Sequence, residues 1–180
     1  MIKFNVAAIN CCTEAEGPRK RLTIWFQGCN IHCPGCCNPD YQPLVVKNLI
    51  SMEALIEIII DAKEKYDIEG VTYSGGEPTL QKHLPQLTKA IHNLGLGVIS
   101  FTGRLYDDVK EILTGCDMVL DGAYNASLPE TKRRLLGSEN QRILCLTDRY
   151  RLNIDWFFSS DCKLVEINVS DFIFANGDKI

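Results

Sequence analysis

Stretches rich in β-branched and aromatic residues alternate with stretches of helical periodicity along this chain, and that alternation constrains the fold most. Leu22-Thr23-Ile24-Trp25-Phe26-Gln27 reads as a buried strand. Ser51 is the expected N-cap of a helix running to about residue 66, with Leu55, Ile56, Ile59, Ile60 and Ala62 as its apolar stripe. Residues 70–73 read as a second strand and residues 83–94 as a second helix, closed by Gly95. Residues 97–102 read as a third strand, 106–113 as a short helix and 117–121 as a fourth strand. Strands and helices at this spacing imply βαβ units, a parallel sheet and right-handed crossovers. The alternation alone is met by a barrel or by a flat doubly wound sheet. In both, ligands meet the carboxyl ends of the parallel strands. Residues 4–10 read as a short edge strand or an extended arm, and 28–44 as a loop. After Asp121 the pattern weakens: 143–146 is a candidate strand, and 164–169 is another, paired with 172–174.

The loop after the first strand carries Cys29, Cys33 and Cys36, spaced C-x3-C-x2-C. A cubane iron–sulfur cluster with four cysteine ligands is coordinatively closed and suits electron transfer. Three cysteines leave the fourth iron open to a substrate or cofactor. The rival is structural zinc, which takes four donors in a tetrahedron, with His32 or Cys37 as the fourth. Zinc modules usually bring two separated ligand pairs, and no second C-x2-C or H-x3-H is present. Of the other cysteines, Cys116 and Cys145 lie beside apolar strand residues and read as core. Cys162 is isolated. Cys11, Cys12 and Cys37 are candidates to converge near the cluster loop.

Other candidate sites also fall at strand ends. Ser74-Gly75-Gly76-Glu77-Pro78 is a turn in which glycine tolerates positive φ and lets a ligand approach the backbone, while the acid offsets a positive charge. Ser100 and Thr102 end the third strand, where a hydroxyl binds a ligand oxygen or caps the next helix. Asp121-Gly122 ends the fourth. Gly137-Ser138-Glu139-Asn140-Gln141-Arg142 reads as a polar surface loop.

A length of 180 residues fits one domain with a real core. A net charge of −4 gives no argument for nucleic acid or an anionic membrane as partner. Arg19-Lys20-Arg21 and Lys132-Arg133-Arg134 read as solvated surface. No apolar leader is visible at the start, and no apolar stretch is long enough to span a bilayer. Nine cysteines, an odd number, then point to a reducing, cytoplasmic location and to metal or catalytic chemistry.

Taken together, the cysteine spacing, Glu16-Gly17-Pro18-Arg19, the Gly-Gly-Glu turn and Gly137-Ser138-Glu139-Asn140-Gln141-Arg142 resemble the radical S-adenosylmethionine (SAM) enzymes. Within them the match is to the anaerobic ribonucleotide reductase activating proteins, small glycyl-radical activases, over about residues 16–145. The resemblance implies an α/β fold, an incomplete parallel β/α barrel of the radical SAM type. Residues 1–180 form a single domain, with 1–20 as an N-terminal arm or edge strand and 150–180 as an unmatched C-terminal extension. It implies a [4Fe–4S] cluster on Cys29, Cys33 and Cys36, and S-adenosylmethionine held by Gly75, Gly76 and Glu77, with Ser100, Thr102 and Asp121 nearby. It implies for residues 137–142 a role in shaping the site or meeting the protein substrate, and no catalytic side chain beyond these cofactors. A reduced cluster cleaves the sulfonium, and the resulting 5′-deoxyadenosyl radical takes a hydrogen atom from a glycine of a partner protein. The implied partners are a glycyl-radical enzyme and a flavodoxin- or ferredoxin-like reductant. The competing readings are a small maturase acting on a peptide or metabolite, and a non-enzymatic iron–sulfur or zinc module. The chain departs from the family in having Cys37 after the third cysteine and Gly-Gly-Glu in place of Gly-Gly-Asp.

Overall fold

A computed structural model describes residues 1–159 and, as backbone, residues 165–169 and 173–177. Its elements in order are β1 (Lys3–Thr13), β2 (Arg21–Phe26), β3 (Asn48–Ser51), α1 (Met52–Tyr66), β4 (Gly70–Gly75), α2 (Leu84–Asn93), β5 (Gly97–Phe101), α3 (Tyr106–Val109), β6 (Met118–Asp121), β7 (Arg142–Cys145), β8 (Val165–Val169) and β9 (Ile173–Gly177). The first seven strands form one sheet in the order β3-β1-β2-β4-β5-β6-β7, and β8 and β9 pair antiparallel by themselves. Cys162 lies outside the described residues, as do positions 164 and 172 of the expected terminal strands.

The four central strands β2, β4, β5 and β6 are parallel and follow one another in sequence order. With no reversal of that order, right-handed crossovers put every helix on the same face. The packing agrees. Leu55, Ile59 and Ala62 of α1 and Leu84, Leu87 and Ile91 of α2 join Leu22, Ile24, Phe26, Val71, Tyr73, Val98 and Val119 in one buried core. The alternate strand residues Ile99, Met118 and Leu120 face the other way and pack with Leu136, Tyr150 and Phe157. This one-sided winding makes an open, incomplete β/α barrel rather than a doubly wound sheet.

α1 begins where its cap predicts: Ala54 N donates to Ser51 Oγ at 3.2 Å, and the chain leaves through Asp67 at φ 55°. α3 is shorter than expected. After Val109 the chain tightens into turns, with Ile112 N donating to Val109 O and Thr114 Oγ1 donating to Glu111 O. No helix of the described residues is long and apolar enough to cross a membrane.

Two expectations need correction. The N-terminal segment is neither an arm nor an edge strand: β1 lies inside the sheet, antiparallel to β2 on one side and to β3 on the other. Register breaks between Val6 and Ala8 and between Asn10 and Thr13 interrupt its alternation, which hides its length in the sequence. Nor is Arg21 solvated. It is 0% exposed, at the amino end of β2. Its Nε donates to Thr72 Oγ1 (2.7 Å), Nη2 to Val71 O (2.8 Å), and Nη1 to Tyr150 Oη (2.9 Å), Pro18 O and Glu69 Oε2 (both 3.3 Å). Tyr150 Oη donates in turn to Glu69 Oε2 at 2.7 Å, and Arg149 Nε to Glu69 Oε1 at 2.8 Å. This polar plug seals the end of the sheet opposite the cysteine loop.

Candidate functional site

The cysteine loop is fastened at its base to the carboxyl ends of the strands. Gly28 N donates to Tyr41 O (2.8 Å) and Cys29 N to Gln42 O (2.9 Å), which closes residues 28–42 into a lobe. Gly76 N donates to Phe26 O and Glu77 N to Gly28 O, both at 2.8 Å, so the turn after β4 grips the start of the lobe. Asn38 Nδ2 adds a contact to Gly75 O at 3.4 Å.

This grip explains the glycine pair locally. Gly75 has φ +107°, and a Cβ there would lie 2.5 Å from Phe26 O. A Cβ on Gly76 would overlap Gly28 O and lie 2.7 Å from Tyr41 O. Both partners are backbone and cannot step aside. Gly76→Ala is therefore expected to lift the lobe off the sheet and destabilise the chain by about 1–3 kcal/mol. Iron bound per chain after anaerobic reconstitution should fall with it, and wild-type iron content and stability would contradict this account of the turn.

Inside the lobe Cys29 is buried, Cys33 and Cys36 are partly exposed, and His32 and Cys37 are exposed. His32 (φ 55°) and Gly35 (φ 71°) curl the backbone between the ligands. Two of the three sulfurs accept a peptide N–H: Ile31 N donates to Cys29 Sγ (3.5 Å) and Asn38 N to Cys36 Sγ (3.4 Å). Burial pushes the Cys33 thiol up, the Tyr124 peptide pulls it down, and the nearby Cys29 and Cys36 sulfurs push it up again. The three sulfurs thus sit within electrostatic reach of one another.

The donor set fits a cluster. In a cubane each thiolate binds a different iron, and N–H donors to the sulfurs are a usual means of stabilising and tuning it. Zinc fits less well, because its donors must surround one ion. Among the described residues no three His, Cys, Asp or Glu side chains gather closely enough for that.

Among the described residues, Cys11, Cys12, Cys116 and Cys145 do not join the loop. Cys11 and Cys12 lie between Asn10, paired with Thr23, and Thr13, paired with Arg21, toward the end of β2 away from Cys29. Their expected convergence on the cluster is not found. Cys116 is 2% exposed, and burial pushes its thiol up to about 12, so it stays protonated as a core residue. Cys145 is partly buried and packs against the second core.

Glu77 is 1% exposed. Its Oε1 accepts from Thr79 N (3.0 Å), Thr79 Oγ1 (2.7 Å) and Thr102 Oγ1 (2.8 Å), and its Oε2 from Gly103 N (3.0 Å). The carboxylate therefore staples the turn after β4 to the end of β5. Beyond Thr102, Arg104 Nη2 donates to Asn30 Oδ1 at 2.8 Å, carrying the same chain of contacts to the cysteine lobe. Gly75, Gly76, Glu77 and Thr102 are thus brought together beside Cys29.

Ser100 and Asp121 are not. Ser100 lies in register with Tyr73 and Val119 on the helix-packed face, and its Oγ donates to Phe101 O at 3.5 Å. Asp121 accepts from Tyr106 N at 2.7 Å, at the start of α3, and both of its oxygens accept from Arg142.

The run 137–142, for which the family resemblance implies a role in shaping the site or meeting the protein substrate, packs against the segment after β6. Asn140 Nδ2 donates to Ala123 O (2.8 Å), Gln141 Nε2 to Gly122 O (2.9 Å), and Asn125 N to Ser138 Oγ (3.0 Å). The polar run 137–142 therefore clamps residues 122–125. Its composition gave the surface location, but its partners are set by the pairing of β6 with β7.

The 4Fe-4S single cluster domain family matches residues 15–144. The chain is 32% identical over 156 residues to the anaerobic ribonucleoside-triphosphate reductase-activating protein of Enterobacteria phage T4, covering 81% of this chain and 96% of that protein. It is 24% identical over 136 residues to the protein of the same name from Salmonella typhi, covering 70% of this chain and 88% of the relative. Similarity to the pyruvate formate-lyase-activating enzyme of Clostridium pasteurianum is 32% over 124 residues, 67% of this chain, which spans about half of that enzyme (52%).

Proposed function

This chain belongs to the family of anaerobic ribonucleoside-triphosphate reductase-activating proteins, radical SAM activases with a single 4Fe-4S cluster domain, and from that membership we propose that it installs a glycyl radical on an anaerobic ribonucleotide reductase. The observation that carries the reading is the loop at the carboxyl end of β2, with three thiols in C-x3-C-x2-C spacing and a peptide N–H donated to two of the sulfurs.

Cys29, Cys33 and Cys36 would hold the [4Fe–4S] cluster. Gly75, Gly76 and Glu77 would face the amino group of S-adenosylmethionine, with Thr102 joined to Glu77 behind them. When bound, these groups supply one-electron cleavage of the sulfonium C5′–S bond, giving methionine and a 5′-deoxyadenosyl radical that takes hydrogen from the substrate glycine. The protein's own part is orientation. The β4 turn fixes the lobe, and Glu77 joins two strand ends by accepting four hydrogen bonds. Ser100 and Asp121 serve that frame, one within the helix-packed face and the other at α3. His32, Pro34, Gly35 and Cys37 form the exposed rim of the lobe, the side on which a flavodoxin- or ferredoxin-like reductant would deliver an electron. A reducing cytoplasm suits the free thiols.

The test is to mix the anaerobically reconstituted protein, S-adenosylmethionine and dithionite with an anaerobic ribonucleotide reductase. Electron paramagnetic resonance should then show a glycyl doublet that disappears when the acceptor glycine is replaced by alanine. A chain that cleaves S-adenosylmethionine but never produces the doublet, while a small peptide or metabolite is consumed, would instead favour a maturase.

A further inference from the structure

Residues 43–49 are exposed without interruption, and Pro43, Leu44, Val45, Val46 and Leu49 among them are apolar. Leu44, Val45, Val46 and Leu49 are 67%, 56%, 70% and 52% exposed. Elsewhere among the described residues the exposed large apolar side chains stand singly, as Leu105, Leu128 and Leu152 do, and single ones are ordinary. Four consecutive apolar residues facing water are a liability for a folded chain unless something binds them. The one charge in the run, Lys47, is drawn aside, with its Nζ 5.4 Å from the centre of the Tyr41 ring.

The strip is held stiffly, and it is held to the site. Asn5 Nδ2 donates to Val45 O at 2.7 Å and Asn5 Oδ1 accepts from Lys47 N at 2.9 Å, so one side chain of β1 brackets residues 45–47. Gln27 Nε2 donates to Pro43 O at 2.8 Å. The preceding residue, Gln42, closes the cysteine lobe through its carbonyl. A Cβ on Gly28 would lie 3.2 Å from Leu44 Cδ2, so the strip starts against the residue before Cys29. It then runs into β3, the edge of the sheet, whose outer side pairs with no strand among the described residues. β3 carries neither charge nor proline, two usual guards of a bare edge. The strip thus joins the mouth of the proposed cluster site to an open sheet edge.

We infer that residues 43–49, with the outer edge of β3, are the docking surface for the protein whose glycine is activated, and that they receive an extended apolar segment of it. The inference rests on the proposed activase reading. Hydrogen-atom transfer needs the reacting atoms about 3–3.5 Å apart, so the substrate protein has to cover the mouth of the site. An electron donor does not, and the rim at 32–37 serves it. Area argues against a second copy of this chain. The four exposed side chains present on the order of 400 Å², about half of the roughly 800 Å² that each partner of a stable complex buries. A copy paired edge to edge along the four residues of β3 would cover little beyond this strip. A substrate protein that reaches over the cysteine lobe gains the missing area from the lobe itself. A stiff strip also costs a transient partner little ordering.

The test compares the anaerobically reconstituted wild-type chain with Val46→Glu, Leu49→Glu and, as a control, Leu152→Glu. Leu152 is 94% exposed and lies two residues beyond Tyr150 of the polar plug. Dithionite supplies the electrons, so no protein reductant takes part. Two rates are read: S-adenosylmethionine cleavage with no protein substrate present, and glycyl-radical formation at rising concentrations of an anaerobic ribonucleotide reductase. All three variants should cleave S-adenosylmethionine as wild type does. Val46→Glu and Leu49→Glu should each raise the reductase concentration that gives half-maximal activation by about tenfold, the scale of one central interface side chain lost. Leu152→Glu should leave it unchanged.

Wild-type half-saturation in both strip variants would overturn the inference and leave the activase reading standing. Loss of cleavage in the absence of the reductase would also overturn it, by making the strip part of the site itself. A wild-type dimer that the strip variants split, with activation unchanged, would assign the strip to a second copy instead. A defect seen only when a flavodoxin replaces dithionite would assign it to the reductant. A wild-type chain that cleaves S-adenosylmethionine but never forms the glycyl radical would remove the activase reading, and the docking role with it.

Discussion

Cys33→Ala is expected to abolish S-adenosylmethionine cleavage while leaving the fold in place. Cys33 is half-buried in a lobe whose neighbouring residues are exposed, so its thiol adds little to the core. Replacing a surface-loop side chain of this kind changes stability by about 0.5 kcal/mol or less. The chemical loss is of another order. Removing an outer-shell partner of a metal ligand costs roughly 10–100-fold, and removing the ligand itself should cost more. The turnover of Cys33→Ala should therefore fall by at least about a hundredfold, with iron content reduced and circular dichroism of the metal-free chain unchanged. Cys37→Ser is the companion variant. Cys37 is exposed beside Cys36 and should be dispensable. Retained cleavage in Cys33→Ala, or its loss in Cys37→Ser, would mean that the ligands are assigned to the wrong thiols.

Arg21→Ala should produce the largest loss of stability in the chain, and for the opposite reason. Arg21 has no solvent exposure and spends its guanidinium on Thr72, Val71, Tyr150, Pro18 and Glu69. Its plane also lies 5.0 Å from the centre of the Tyr150 ring. Truncation leaves a cavity lined by Val71 O and by the Glu69 carboxylate, which retains only Tyr150, Arg149 and a longer pairing with Arg19 at 4.0 Å. Breaking a buried charge pair from one side costs about 3–5 kcal/mol, a large share of the roughly 5–15 kcal/mol that holds a typical domain. Urea unfolding should show a loss of that size, and Arg21→Lys should recover only part, because an ammonium cannot reproduce the planar fork. The cysteine lobe stands at the other end of β2, about 20 Å away for six residues at 3.3 Å each. Iron content per folded chain should accordingly stay at the wild-type level. A loss below about 1 kcal/mol would show that the plug is incidental to folding.

These two residues also mark what was legible in the sequence. The cysteine loop was legible because its signal is local: three thiols in one polar turn behind an apolar run. The central strands and both long helices were legible for the same reason, since β-branched runs and a Ser51 cap act within a few residues of themselves. Arg21 was not. Within Arg19-Lys20-Arg21 it looks like any surface cation, and its partners Glu69 and Tyr150 lie 48 and 129 positions away. β1 was half legible. Its buried Phe4 and Val6 alternate as a strand should, but the register breaks spoil the period beyond Val6.

Of the candidate site residues, the fold gathers Gly75, Gly76, Glu77 and Thr102 beside Cys29, while Ser100 and Asp121 are held elsewhere. Gly75 and Gly76 were expected to be small so that a ligand could approach. The backbone of Phe26, Gly28 and Tyr41 already requires that. Glu77 and Thr102 were singled out separately and turn out to bond each other at 2.8 Å. The run 137–142 was expected to shape the site or to meet the protein substrate, with no partner named. Its contacts with residues 121–125 depend on β6 and β7 pairing antiparallel, a long-range fact that composition does not carry.

The most direct measurement is a single-turnover assay on the wild-type chain, reconstituted anaerobically with iron and sulfide, reduced with dithionite and given S-adenosylmethionine. Chromatography should find 5′-deoxyadenosine and methionine formed in equal amounts. A chain that carries a full, reducible cluster and leaves S-adenosylmethionine intact would contradict the account at its root.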